Sequence, residues 1–347
     1  AFRPRSVGTP KGLIPETYDK FFTFDRYYNL RWDLTRSFNV DFTAVNRAWV
    51  DEDTGRLDQN EKKRVWENFW KGGRNIAYNQ KANFTYTLPT AKFPLLDWTT
   101  IRASYVATFD WLAASLIARN LGNTLSNSQV KSVNAELNYD KLYSKWRLLR
   151  ALDDAAAQPA QPPQQPPPAT DTTGKKKKRD RSQPPQLSGL AKFGLRILTS
   201  LRQRSIQYPE NAGAAIYGYT DSTQALGMNW RSRAPGLGFI FGRQPDTSFI
   251  NSMAQKGWLT ADSLFNFQNR QDYQQRLTIT AQLVPVRDLT IDINLDKTFG
   301  KAYSELYKDT TGTGQHFARL NPYASGSFSI SYISFQTLFE KIKPNEE

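Results

Sequence analysis

Little in this chain is equipped for bond-making chemistry. It has one histidine, His316, in a glycine-rich stretch, and no cysteine. A His/Cys zinc site, or a Ser-His or Cys-His nucleophile, therefore lacks its parts. Two carboxylate pairs, Asp51/Asp53 and Asp153/Asp154, have the residue types for acid and base roles. They lie in loop-like sequence, and no motif selects either pair. Residues 235–242 read Pro-Gly-Leu-Gly-Phe-Ile-Phe-Gly. These glycines do not follow G-x-G-x-x-G, and no strand-then-helix pattern frames them, so a packed glycine–aromatic loop is expected instead of a phosphate cradle. The expectation is a protein that is not an enzyme and that needs neither cofactor nor metal.

The order in the chain is alternation. Over 99–111 the odd positions include Ile101, Ala103, Tyr105, Phe109 and Trp111. The even ones carry Arg102, Ser104, Thr108 and Asp110. A period of two means a β-strand with one greasy face and one wet face. A tilted strand of roughly 9–11 residues crosses a bilayer.

Composition is compatible with that. The chain has 347 residues and a mean hydropathy of −0.62. No run of about 18 apolar residues exists, so no membrane-spanning helix is expected. Alternating barrel strands escape hydropathy, because every second residue is polar. The 9 Trp, 16 Tyr and 21 Phe are rich for a soluble domain and suit interfacial girdles. Net charge is +14, which can serve nucleic acid or anionic lipid, or merely keep a protein soluble. The chain opens at Ala1 with no charged-then-apolar leader, as expected of a processed chain or an internal piece.

From Tyr28 onward one parity holds through Val50, with Leu30, Trp32 and Leu34 opposite Arg31 and Asp33. This predicts one very long strand. A polar loop over 51–74, with a helical turn at 61–70, precedes a strand at 75–88 that shows Phe84 and Tyr86 on one face. The strand at 99–111 follows, then one at 129–139 with Leu137 opposite Asn134 and Glu136, and a short helix over 139–152. Residues 153–187 are Pro/Gln-rich and then lysine-rich, six cations and one carboxylate over 175–181; they read as a disordered, solvated insertion. A fifth strand is expected at 193–208, and a long connection at 209–270 with a helix at 247–255. The clearest hairpin follows. Leu277 and Ile279 oppose Arg276 on one strand; Ile291 and Ile293 oppose Asp292 and Asn294 on the other, with a tight turn at 284–288. A loop at 300–321 leads to a strand at 323–335 with Phe328 and Ile330 on one face, and another element starts at 336–342.

About eight strands result. Their connections alternate long and short, the insertion apart, as in outer-membrane barrels. The organisation expected is an irregular periplasmic-side lead-in (1–26), four strands (27–152), the insertion (153–187) and four more strands (188–342), the first strand running outward. The fold class is all-β: an antiparallel meander forming part of the wall of a very large transmembrane barrel. A soluble β-sandwich is the competing architecture.

Several stretches resemble one family: 3–15 (Arg-Pro-Arg-Ser-Val-Gly-Thr-Pro-Lys-Gly-Leu-Ile-Pro), 24–34 (Phe-Asp-Arg-Tyr-Tyr-Asn-Leu-Arg-Trp-Asp-Leu), 73–75, 121–124 (Leu-Gly-Asn-Thr) and 234–242. Together they are similar to the SprA/Sov family of Bacteroidota, the outer-membrane translocon of the type IX secretion system and a gliding-motility component. The resemblance covers the chain except 153–187. It implies an internal segment of a far longer barrel in the cell outer membrane that exports folded cargo bearing a C-terminal sorting domain. The partners implied are that cargo, a PorV-type shuttle barrel, a periplasmic plug protein, the secretion motor and outer-membrane lipid, with no nucleic acid. The facing expected puts Leu30, Trp32, Leu34, Phe84, Tyr86, Ile101, Ala103, Tyr105, Phe109, Leu137, Leu277, Ile279, Ile291, Ile293, Phe328 and Ile330 toward lipid. Arg31, Asp33, Arg102, Ser104, Asp110, Asn134, Glu136, Arg276, Asp292 and Asn294 would face the lumen. Another outer-membrane transporter or porin, or a soluble basic binding module, are the alternatives.

Overall fold

A computed structural model describes residues 22–51, 59–146, 194, 199–286 and 289–331. They form one nine-stranded antiparallel sheet in which every strand pairs with its sequence neighbours. The strands are β1 (Thr23–Thr35), β2 (Phe38–Trp49), β3 (Arg74–Thr87), β4 (Thr99–Leu112), β5 (Asn123–Asn138), β6 (Leu201–Tyr219), β7 (Asn269–Val286), β8 (Leu289–Asp309) and β9 (Phe317–Ile330). The sheet is an open meander, with β1 and β9 at its edges.

The single long strand expected over 28–50 is instead the hairpin β1–β2, so 27–152 holds five strands, not four. The turn at Arg36–Ser37 pairs Trp32 with Val40 and Leu30 with Phe42. Even residues face even residues across this hairpin, so the chain reverses without changing parity. Alternation alone does not reveal such a turn.

Two other boundaries move. β6 starts at Leu201 and continues to Tyr219, well into the stretch expected to be loop. Pro209 sits inside it. It pairs with Ser132 on the β5 side, while the pairing toward β7 steps from Gln207 to Glu210, as expected where a residue has no N–H to give. β8 runs to Asp309 and β9 starts at Phe317, which shrinks the loop expected at 300–321 to residues 310–316.

Helix α1 (Gln59–Trp70) and helix α4 (Thr247–Gln255) lie where the periodicity puts them. Of the helix expected over 139–152, α2 spans Tyr139–Tyr143 and residues 147–152 lie outside the described residues, and α3 (Leu237–Ile240) forms inside the glycine–aromatic loop. The insertion at 153–187, most of the lead-in, the turn residues Arg287 and Asp288, and the element expected at 336–342 lie outside the described residues.

The connections separate by end. At one end β1 joins β2, β3 joins β4, β5 joins β6 and β7 joins β8; at the other β2 joins β3, β4 joins β5, β6 joins β7 and β8 joins β9. The contrast in length is weaker than expected, since 88–98 and 113–122 are similar. With the added hairpin, β2 rather than β1 is the strand that runs toward the 50–73 end.

The 220–268 connection folds into a layer against one face of the sheet. Phe239, Ile240, Ile250, Met253 and Leu259 pack there with Tyr78, Phe109, Trp111, Leu125 and Ile216, and this is the hydrophobic core. Beside the layer, the backbone entering β5 approaches the end of β6 closely: a Cβ built at Gly122, φ +77°, would fall 2.5 Å from the carbonyl carbon of Gly218. Gly122→Ala is expected to destabilise the chain by at least about 1–3 kcal/mol through backbone strain alone, read as a lower urea midpoint; an unchanged midpoint would contradict the contact.

Candidate functional site: a two-faced wall

The cross-strand register assigns each side chain to a face. Phe84 pairs with Tyr105, Tyr86 with Ala103, Ala103 with Val133, and Ile101 with Ala135. On the far strands Ile279 pairs with Leu295, Ala281 with Ile293, and Phe299 with Phe328. Carried across all nine strands, this puts the residues expected to be lipid-facing on one face. Leu34 lies at the irregular step between Asp33 and Thr35. The residues expected to face the lumen all fall on the other.

The polar face is laced by hydrogen bonds between neighbouring strands. Arg276 and Thr278 both donate to Asp296, the latter at 2.8 Å. Asn79 donates to Asp110 and Arg47 to Asp25. Ser104 meets Ser132 at 3.3 Å, and Thr108 meets Ser128 at 2.6 Å. Arg31 lies 3.8 Å from Asp41, with the Arg31 side chain 77% exposed, so this pair contributes little to stability. Most of these groups remain open to solvent, as on a surface built to be wet.

The apolar face divides into two zones. Near the short-turn end it is an uncovered belt. Leu30, Trp32, Leu34, Tyr86, Val133, Ile291, Phe328 and Ile330 are all more than 40% exposed. A contiguous apolar surface of this kind on a soluble monomer would be a liability. Charged residues interrupt this face: Lys297, Arg204, and Lys131, which lies 3.6 Å from Glu210. Lys297 lies 5.8 Å from the ring centroid of Phe328, and Arg204 pairs with Leu137; long basic side chains of this sort can lay their stems on apolar surface and carry the charge outward.

Near the other end the same face is covered by the 220–268 layer. Here the expectation for Phe109 is corrected: it is fully buried under the layer, edge-on to Phe239 at 6.1 Å, and meets no lipid. Tyr105 is also drawn under, its hydroxyl donating to the Phe241 carbonyl. The signal was present in the sequence. Asn46, Gln80, Asn127 and Gln271 break the apolar parity at this end of their strands. Asn127 donates to the carbonyls of Phe239 and Arg243 at 2.8 and 3.0 Å, and Gln271 to that of Pro245 at 2.9 Å. Polar groups on this face thus serve the backbone of the layer, where an unpaired carbonyl would be costly.

Asp221 and Asp246 set the layer's local structure. Asp221 accepts from Asn229 and Ser232, while its backbone carbonyl accepts from Asn123 and Trp111. The Asn123 carboxamide also takes the Ala114 N–H, which ties 113–122 to the layer. Asp246 caps α4. Hydrogen bonds from the Ser248 hydroxyl, foremost, and from the Phe249 N–H hold its carboxyl below the ordinary aspartate value. A depressed folded pKa stabilises above the unfolded pKa and is lost as pH falls through the folded one. Hydrogen exchange at the start of α4 should therefore accelerate below about pH 4, and Asp246→Ala should abolish that pH dependence.

The polar groups first considered for chemistry are not brought together. The His316 carbonyl accepts from Thr310 at the end of β8. Asp51 is engaged by Arg74 at 2.8 Å, and Asp53, Asp153 and Asp154 lie outside the described residues. Among the described residues no cluster of His, Cys, Asp or Glu could hold a metal ion, and no helix is long and apolar enough to cross a membrane. No protein-family profile matches the chain, and no curated protein matches it.

Proposed function

We propose that this chain is part of the wall of an outer-membrane barrel that conducts folded protein, with its belt in lipid and its polar face lining an aqueous passage. The observation that carries the reading is the separation of faces: an exposed apolar belt backs onto a solvated ladder of Arg, Asp, Asn, Ser and Thr. A soluble sandwich would cover such a belt with a second sheet, and the layer at 220–268 leaves it open.

Strand length supports the same reading. β8 has 21 residues, about 70 Å at the rise of an extended strand, roughly twice what a bilayer needs. The excess lies at the layered end, so the wall would stand above the membrane. In this orientation the short turns are periplasmic, β1 descends and β2 ascends. An open sheet with free edges at β1 and β9 fits a segment of a larger closed barrel, since an isolated edge invites aggregation.

The type of traffic rests on the resemblance to the SprA/Sov family, and with it the cargo with C-terminal sorting domains, the PorV-type barrel, the plug and the motor. A wide polar passage lets a folded protein cross without shedding its hydration. Depleting the full-length protein from its own cells tests this. Folded cargo should accumulate in the periplasm; normal cargo release with loss of small-solute uptake would instead identify a nutrient transporter.

A further inference from the structure

Above the belt, at the β1 edge, the apolar face holds a groove of about 950 Å³ between β1–β3 and residues 222–226 of the layer. Its floor is Tyr28, Leu30, Phe42 and Tyr78, and its rim is basic, with Arg26, Lys71 and Arg74 and no Asp or Glu among the described residues lining it. Arg74 is already engaged by Asp51, which leaves Arg26 and Lys71 to set the charge of the groove.

Three polar atoms at this site are buried without a hydrogen-bond partner: Asn46 Oδ1, Thr223 Oγ1 and Arg26 Nε. Asn46 is 5% exposed and Thr223 2%. Buried polar groups are nearly always paired, so unpaired ones in a groove mark a place where a polar ligand, or water, completes the bonding. Arg26 is held in place. Its Nη2 donates to Asn75 at 2.8 Å, and the Asn75 carboxamide in turn donates to the Thr223 carbonyl at 2.6 Å. Gly72, φ +88°, leaves room for that guanidinium, since a Cβ there would come within 3.1 Å of Nη1.

Two features place the groove at a membrane–water boundary. Leu30 leads down β1 to Trp32 and Leu34 in the belt, each more than 40% exposed. Beside the groove, α1 and the residues that follow it carry Trp66, Phe69 and Trp70 together with Lys62, Lys63 and Lys71. Trp66 is 60% and Trp70 79% exposed, and Phe69 packs on Phe22 and Phe24 at 5.8 and 5.2 Å. A short helix that is aromatic and basic is the composition of an interfacial anchor.

We infer that this groove seats the phosphorylated headgroup of an outer-leaflet lipid, its phosphate on Arg26 and Lys71 and its acyl chains along Leu30 and Trp32. This rests on the wall reading above. The Thr223 hydroxyl and the Asn46 carboxamide oxygen, which lack partners, suit the hydroxyl groups of a glycerol or sugar headgroup, and the cations without carboxylates select an anion.

The full-length chain, delipidated in detergent, would be titrated with phosphatidylglycerol in mixed micelles, with phosphatidylcholine as the neutral comparison and inorganic phosphate as competitor. Preference for phosphatidylglycerol is expected. Arg26→Gln with Lys71→Glu should weaken it roughly tenfold or more, since each basic residue near an anionic surface counts for about a factor of five. Lys71→Glu alone, on an exposed turn, keeps the test valid if the Arg26 variant does not fold. Arg31→Gln on the polar face should change nothing. Equal binding of the two lipids, an unaffected double variant, or displacement by inorganic phosphate would overturn the proposal. A spin label at Ile101→Cys, in the full-length protein with any native cysteines replaced, separates the two readings. A label in lipid with no lipid preference leaves the wall standing and removes the headgroup site, whereas a label in water removes both.

Discussion

Arginine at Ala103 is expected to impair assembly of the barrel far more than arginine at Ser104, although the two residues are adjacent. Ala103 lies in the belt, paired with Tyr86 on one side and Val133 on the other, and both neighbours are more than 40% exposed. A guanidinium there would enter hydrocarbon, at a cost of about 2–4 kcal/mol near the bilayer midplane. Ser104 points the opposite way, between Thr85 and Ser132, where water and polar groups receive a charge at little cost. The measurement is the fraction of full-length protein that reaches the outer membrane in a folded, protease-resistant form. Loss with Ala103→Arg and near-normal levels with Ser104→Arg is the expected result. Equal effects would mean that the two faces are not in different solvents.

The second large effect concerns the layer. Phe239 is 2% exposed, stacked on Phe249 at 5.4 Å and edge-on to Phe109 at 6.1 Å. Phe239→Ala removes the ring that joins layer to wall and leaves a cavity over Phe109. Truncations of this kind cost about 3–5 kcal/mol. The belt does not touch this ring, so the loss should be local. Hydrogen exchange across 220–268 should quicken while β4 and β5 keep their protection at the belt. Trp230→Ala, at a side chain 53% exposed on the layer, should stay within about 0.5 kcal/mol of the parent. Protection lost equally across layer and wall would show that the two unfold as one unit, contrary to the expectation.

The strands were legible because their period is two and local. Ile101, Ala103 and Tyr105 on one parity and Arg102 and Ser104 on the other suffice to give a strand and its two faces, and the register confirms the grouping residue by residue. The β1–β2 turn was not legible for a reason that is itself geometric. A reversal at Arg36–Ser37 that pairs even residues with even residues leaves the alternation unbroken, so 28–50 reads as one strand. The fifth strand, expected to end at 208, instead continues through Pro209 to Tyr219, because a proline needs only a place where its missing N–H is not called for.

What the sequence by itself determined is the all-β class, the two faces of each strand, and the positions of α1 and α4, all set by contacts between residues close in the chain. What only the tertiary structure decided is which part of the apolar face stays uncovered. The 220–268 layer folds back on the same face as the belt, burying Phe109 and recruiting Tyr105, Asn127 and Gln271. It also builds the groove at Arg26, Asn46 and Thr223 from segments far apart in sequence. Periodicity reports only that a side chain points to one side of a sheet. Whether protein or lipid meets it there depends on where a distant segment finds shape and hydrogen-bonding partners, and no local pattern carries that information.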